Sequence, residues 1–344
     1  MKTTIRLYIN DLLVFGILTI VALVCLAQTE LKFQPLYRAT NGSVILSLQA
    51  PSGSLYRLRT SENLSEWVNL TTFPVSLGVC RYTDMAATFL PNRFYQATKL
   101  PNTNYIWGDH ILTDDGEVII QPINHATFVM AWKTNVFYFD PTGTSSRYAH
   151  LPPPTILFLT HAHSDHYSAS TIRSIITNYT KIIIPKVLAS SFPSDLAPYA
   201  ILMTNGMAIN LNGINIEAIP MYNLTTQNHL KGDGNGYVLT IGNRRFYISG
   251  DTEDIPEMRA LKNIDVAFLA MNKPYTMSPS QAASAVREFK PKIVYPFHFS
   301  PSTPPTDFNE FIRLVGNDLG IEIRIRKWYY TPSCLTQMSY LQQS

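Results

Sequence analysis

The stretch "TILFLTHAHSDHYS", residues 155–168, sets three histidines and an aspartate inside six residues, in a chain of 344 residues with only eight histidines. An apolar run, "ILFLT", leads straight into them. Imidazole nitrogen and carboxylate oxygen are donors for a borderline divalent cation, with Zn²⁺ the default and Mn²⁺ also compatible. Residues two apart in an extended segment point the same way, so His161 and His163 can grip one cation. Asp165 and His166 are then displaced onto a neighbouring position. A solvated polar loop has no need of three histidines at these offsets after a buried strand. The chemistry such a cluster offers is metal-assisted hydrolysis, because coordination lowers the pKa of water to about 7.

A cluster of this kind needs rigid elements behind it. From Asn102 onward, strand-type runs ("EVIIQPI", "ILFLT", "KIIIP", "NIEAIPM", "GYVLTI", "RFYIS", "VAFLAM", "KIVYPF") alternate with helical periodicity in "SASTIRSIITNY", "EDIPEMRALKN", "SPSQAASAVREF" and "TDFNEFIRLVGND". That alternation predicts layered α/β over 102–330, sheets inside and helices outside, with polar clusters where strands stop.

The His-x-His-x-Asp-His run resembles the first metal motif of the metallo-β-lactamase superfamily, and later segments match its other motifs in order. They are His229 in "NHLKGDGNGYVL", Asp251 in "YISGDTEDIPEM" and His298 in "IVYPFHF". With "INHATFVM", "DPTG" and "AFLAMNKPYTM", the chain is similar to the branch of ascorbate-6-phosphate lactonase-like hydrolases; N-acyl-phosphatidylethanolamine phospholipase D is more distant. The resemblance implies a four-layer αββα sandwich of the α/β (α+β) class. It also implies two metal ions, one held by His161, His163 and His229, the other by Asp165, His166 and His298, with Asp251 between them. Oxygen-reducing di-iron members carry glutamate where this chain has His163, so a hydrolytic centre is expected. The implied activity is metal-bound hydroxide attack on a lactone, phosphodiester or similar ester, with Asp165 among the catalytic groups. A non-catalytic metal-binding protein and a true β-lactamase are the alternatives.

Smaller expectations attach to other residues. His125, in "INHAT", either faces the site or is a buried, hydrogen-bonded histidine. Asn223 and Lys231 flank the His229 loop, where they could meet an anionic substrate. Asp140, ending "VFYFD", is expected to orient a ligand rather than bind metal. His110 and His150 fall outside any motif and are read as surface or structural.

The N-terminal third has another character. Lys2 and Arg6 precede an uncharged run, Leu12 to Ala27, of sixteen residues or roughly 24 Å as helix, short of the roughly 30 Å a hydrocarbon core needs. This predicts a signal peptide over 1–27 and an exported, periplasmic or extracellular protein; the alternative is an uncleaved anchor. Residues 31–100 hold short β-type runs between turn signals. "YRLRTSENLSEWVNL" and "PNRFYQATKL" resemble a small all-β module common in secreted bacterial proteins, with Trp67 and Tyr95 as core residues. Such a module suggests contact with a surface or polymer. A C-terminal tail follows over 331–344. Net charge is +3 with scattered basic residues, which disfavours nucleic acid as a partner. Outside the leader, Cys80 and Cys334 stand far apart in no metal-type spacing; they are expected as unpaired buried thiols, although an oxidising compartment would allow a disulfide.

Overall fold

The computed structural model describes residues 31–50, 54–75, 79–100, 106–302 and 304–329, with the backbone of two short strands, β1 (Thr4–Tyr8) and β2 (Val21–Leu23). The rest of the expected leader, Cys334 and the expected tail lie outside the described residues. The chain divides into two compact units. One comprises Met1–Leu112, Ile119–Gln121 and Tyr330–Ser344; the other comprises Thr113–Val118 and Pro122–Tyr329.

The first unit is built of strands, with one 3-10 turn, Ala86–Phe89, among its described residues. Its strands are β3 (Lys32–Phe33), β4 (Tyr37–Arg38), β5 (Val44–Gln49), β6 (Ser54–Ser61), β7 (Val68–Val75), β8 (Val79–Asp84), β9 (Phe94–Leu100) and β10 (Gly108–Thr113). β6 runs antiparallel to both β7 and β9, while β5 runs antiparallel to β3, β4 and β8. The alternation in β5 does what a period of two demands: Val44, Leu46 and Leu48 turn inward while Ile45, Ser47 and Gln49 do not. They join Leu58, Phe73, Tyr82 and Tyr95 in one buried cluster. Cys80 belongs to the same cluster, and burial pushes its thiol up to about 12. A buried Asp84 carboxylate accepts from Arg93 Nε at 2.8 Å and Tyr95 Oη at 3.0 Å. Trp67 departs from expectation. It stands half-buried, its Nε1 donating to the Leu64 carbonyl at 3.1 Å, because it closes the turn that carries it instead of pointing into the core.

The second unit is a mixed α/β sandwich. Its first sheet takes β11 (Gly116–Asn124), β12 (Thr127–Trp132), β13 (Asn135–Phe139), β14 (Ile156–Phe158), β15 (Lys181–Pro185) and β16 (Ala200–Met203), side by side in that order. β12 and β13 form an antiparallel hairpin, and β13 to β16 are parallel. The second sheet repeats the plan with β17 (Ala208–Leu211), β18 (Ile214–Pro220), β19 (Asn235–Ile241), β20 (Arg244–Ile248), β21 (Val266–Ala270), β22 (Ile293–Phe297) and β23 (Glu322–Ile323). It is antiparallel as far as β20 and parallel thereafter. The sheets meet through aromatic rings: Phe128 of β12 stacks on Phe139 of β13 and on Phe268 of β21, with centroids 4.4 Å apart in both pairs. Phe158 of β14 meets Tyr237 of β19 edge-on at 5.3 Å.

Helices fill the crossovers: α1 (Ala169–Ile175), α2 (Pro256–Arg259), α3 (Pro279–Phe289) and α4 (Phe308–Val315). α3 is the best specified, with Pro279 at its first turn and a Ser278–Gln281 capping box. The helix expected over "EDIPEMRALKN" shrinks to one turn, α2, entered by Pro256 and left after Arg259. α1 stops at Ile175 because Ile176 returns to extended backbone. Among the described residues no helix is long and apolar enough to cross a membrane.

Candidate metal centre

The polar clusters sit where strands of both sheets stop. His161, His163, Asp165 and His166 follow β14, and His125 fills the turn between β11 and β12. His229 lies between β18 and β19, Asp251 follows β20, and His298 follows β22. Gly250 is needed just ahead of Asp251. It has φ 59, and a Cβ there would come within 2.7 Å of Met221 Sδ.

Three groups of donors form, the atoms in each within 4.8 Å of one another: His161, His163 and His229; His161, His166 and Asp251; and His125, Asp165 and His298. All seven expected ligands are brought together, and His125 with them. Asp251 is the hub. Its Oδ1 lies 3.3 Å from His166 Nε2, and its Oδ2 lies 3.5 Å from His229 Nε2 and 3.3 Å from His298 Nε2. Asp165 Oδ2 is 3.3 Å from His298 Nε2, and His163 Nδ1 is 3.2 Å from His229 Nε2.

The surrounding hydrogen bonds determine which nitrogen of each histidine is available. The Asp140 carboxylate can only accept; it takes the Thr160 N–H at 2.8 Å and the Thr160 hydroxyl at 2.7 Å. His166 Nδ1, 2.8 Å from the same carboxylate, must therefore donate to it. The Thr160 hydroxyl, its proton already given, accepts from His161 Nδ1 at 3.0 Å. Asn223 uses its amide nitrogen on the Tyr275 carbonyl, so its oxygen accepts from His229 twice, at the backbone N–H and at Nδ1. In all three histidines Nδ1 donates outward, which leaves Nε2 as the nitrogen turned to the cluster.

This arrangement fits divalent cations. The Nε2 atoms of His161 and His166 and Oδ1 of Asp251 are buried without a hydrogen-bond partner, a costly condition unless a cation takes them up. Burial, helped by the neighbouring His166, drives His161 well below its ordinary pKa and keeps it a neutral donor. Burial also opposes charge on Asp251, yet His166 and His298 outweigh it and hold that carboxyl far below its usual range. Around His166 the Asp251 and Asp140 carboxylates outweigh burial in the other direction and raise its pKa well above normal. Carboxylates here demand positive charge beside them.

Two expected substrate contacts are otherwise engaged. Asn223 is buried and orients His229, as above. Lys231 Nζ pairs with Glu257 Oε1 at 2.6 Å and lies over the Tyr222 ring at 4.9 Å, while Tyr222 Oη donates to Glu257. Its charge is met within the protein. Asp140 occupies the orienting place described. His110 is buried in the first unit, 2.8 Å from Thr72 Oγ1, and His150 is exposed. Sequence reasoning missed Thr160, although it adjoins His161. It also missed Glu253, a buried carboxylate that accepts the N–H groups of Leu224 and Thr225 at 2.7 and 2.8 Å and so clamps the loop bearing His229. Tyr329 was missed too; its hydroxyl is 2.7 Å from His125 Nδ1.

Residues 119–298, more than half of the chain, match the family model described as the beta-lactamase superfamily domain. The chain belongs to the metallo-β-lactamase superfamily. Within that superfamily it is similar to a protein of Thermococcus onnurineus named UPF0173 metal-dependent hydrolase, 27% identical over 210 residues, 58% of this chain and 93% of the relative. A relative of the same name from Nanoarchaeum equitans is 30% identical over 189 residues, 53% of this chain and 83% of its own length. A solved metal-dependent hydrolase from Parabacteroides distasonis is 36% identical, covering 66% of this chain and all of that one, with a TM-score of 0.58. The metallo hydrolase of Ignicoccus hospitalis, at 23% identity and a TM-score of 0.51 over 62% of this chain and 96% of its own, shares the fold. Like the relatives so named, this superfamily member is a metal-dependent hydrolase.

Proposed function

We propose that the protein is a dinuclear, zinc-type hydrolase of small esters, lactones or phosphodiesters, in the manner of the ascorbate-6-phosphate lactonase-like branch. The observation that carries this is Asp251, whose two oxygens face histidines of all three donor groups between them: His166 on one side, His229 and His298 on the other. When bound, two such cations supply an activated water at neutral pH and polarise the substrate oxygen under attack. His161, His163 and His229 would hold one, and Asp165, His166 and His298 the other. The protein's own part is preorganisation. Asp140, Thr160 and Asn223 keep three imidazoles turned with Nε2 inward, so little reorientation accompanies reaction. Because Glu257 neutralises Lys231, substrate charge is met at the centre instead of by a lysine on its rim. The apolar run from Leu12 to Ala27 supports export, and the β-rich stretch over 31–100 supports contact with a surface or polymer.

Metal analysis of the purified protein, followed by assay on a panel of lactones and phosphodiesters, tests the reading. Two zinc equivalents and turnover of at least one class are expected. Asp251→Ala should lose at least one ion, since the remaining cations would repel strongly at close range, and turnover should fall by orders of magnitude. A variant that kept two ions and near-normal turnover would overturn the dinuclear reading.

A further inference from the structure

We infer that His125 is itself a metal ligand, through Nε2, at the position shared by Asp165 and His298, and that Tyr329 is the residue that aims it. The inference rests on the dinuclear reading above. It begins with hydrogen-bond direction. The Phe299 carbonyl can only accept, and the Tyr329 hydroxyl donates to it. Tyr329 Oη, 2.7 Å from His125 Nδ1, is then an acceptor, so Nδ1 carries the proton and Nε2 is left with its lone pair. That is the wiring of His161, His166 and His229, each with Nδ1 tied outward and Nε2 free to bind. A histidine serving only as packing has no need of it.

The distances agree. Ligand atoms about 2.1 Å from one cation lie about 3.0 Å apart in octahedral and about 3.4 Å apart in tetrahedral array. His125 Nε2 stands 3.1 Å from Asp165 Oδ2, and His298 Nε2 stands 3.3 Å from the same oxygen. A bare lone pair facing a carboxylate oxygen at that distance is repulsive unless a cation lies between them. The His125 ring packs against that of His298 with centroids 3.9 Å apart, which holds both at this spacing. The backbone is consistent as well. His125 and His298 both sit in the left-handed region, at φ 54 and 45, where a non-glycine residue is held only by its surroundings, and His298 N–H donates to the His125 carbonyl at 3.3 Å.

Chelator-competition titration of metal-free protein with Zn²⁺ tests this on the full chain, using the wild type, His125→Gly and Tyr329→Phe. Glycine adopts φ near 54 without strain, so the first variant keeps its fold, as circular dichroism and thermal unfolding would verify. The wild type should bind two zinc ions. His125→Gly should bind the first as before and the second at least 10-fold more weakly. Tyr329→Phe should weaken the second by about 10-fold, the loss expected when a ligand's orienting partner goes. With Co²⁺ in place of zinc, the visible absorption of the second equivalent should change in His125→Gly. A folded His125→Gly protein whose second dissociation constant and Co²⁺ spectrum match the wild type would overturn the inference, since a purely structural role moves only the melting temperature. A wild type that binds a single zinc would overturn the dinuclear reading itself, and the inference with it.

Discussion

Asp140 accepts two hydrogen bonds from Thr160 and one from His166, and its backbone sits in the left-handed region at φ 44. Asp140→Asn nearly preserves shape but brings an amide nitrogen that can oppose His166 Nδ1. Metal affinity and kcat/KM should each fall about 10 to 100-fold, with the fold intact by circular dichroism. Loss of folding without loss of affinity in the folded fraction would contradict that assignment. Cys80 makes a plainer case. A thiol buried and pushed up to about 12 holds almost no thiolate at pH 8, so a disulfide reagent should leave it unreacted for as long as the protein stays folded and react promptly in urea. At this scale the ligands were legible because four of them, His161, His163, Asp165 and His166, crowd into six residues and each of the others sits in a short motif of its own. Their orienting partners were less so: Tyr329 lies 204 positions from His125, and no local pattern marks it.

Among the elements, Asp265 joins three strands. Its carboxylate accepts from Arg244 Nη1 and from the Arg245 N–H at 2.9 Å each, at the start of β20, and from Lys292 Nζ at 2.8 Å, just before β22; Asp265 itself leads into β21. Burial opposes its charge, but the Lys292, Arg245 and Arg244 bonds prevail and lower its pKa below the ordinary aspartate value. A depressed carboxyl pKa stabilises the fold above about pH 3.9, and that contribution is lost as pH falls through the lower folded value. Asp265→Asn should therefore cost about 1 to 2 kcal/mol in urea unfolding of metal-free protein at pH 7, with the difference from wild type narrowing by pH 3. Strands such as β14, β15 and β21 were readable from continuous apolar runs, because both faces are buried. β16 and β17 were not, since "AILM" and "AINL" have half-exposed, four-residue patterns that no period distinguishes from loop. The helix expected at α2 failed for a related reason: its spacing fits a helix, but Pro256 and the turn after Arg259 leave room for one turn only.

At the scale of the molecule, every candidate ligand falls within Pro122–Tyr329. Zinc at 100 times its dissociation constant should stabilise that unit by about 2.7 kcal/mol per ion through mass action. Hydrogen exchange followed by mass spectrometry should show slower exchange after zinc addition in the peptides bearing β14, β18 to β20 and β22, and little change in β5 to β8. Equal slowing in both units would place metal somewhere other than this centre.

Each of the three donor groups draws from both sheets: His161 and His163 with His229, His161 and His166 with Asp251, and His125 and Asp165 with His298. No half of the sandwich owns a complete set. The order of events in the life of the chain follows from that division. An ion arriving while the sheets are still apart meets no more than two donors of any one group. Cargo of this kind is taken up late, by a protein already assembled. Adding zinc to a refolding mixture should leave the rate of refolding unchanged, and should change only how long the finished molecule lasts.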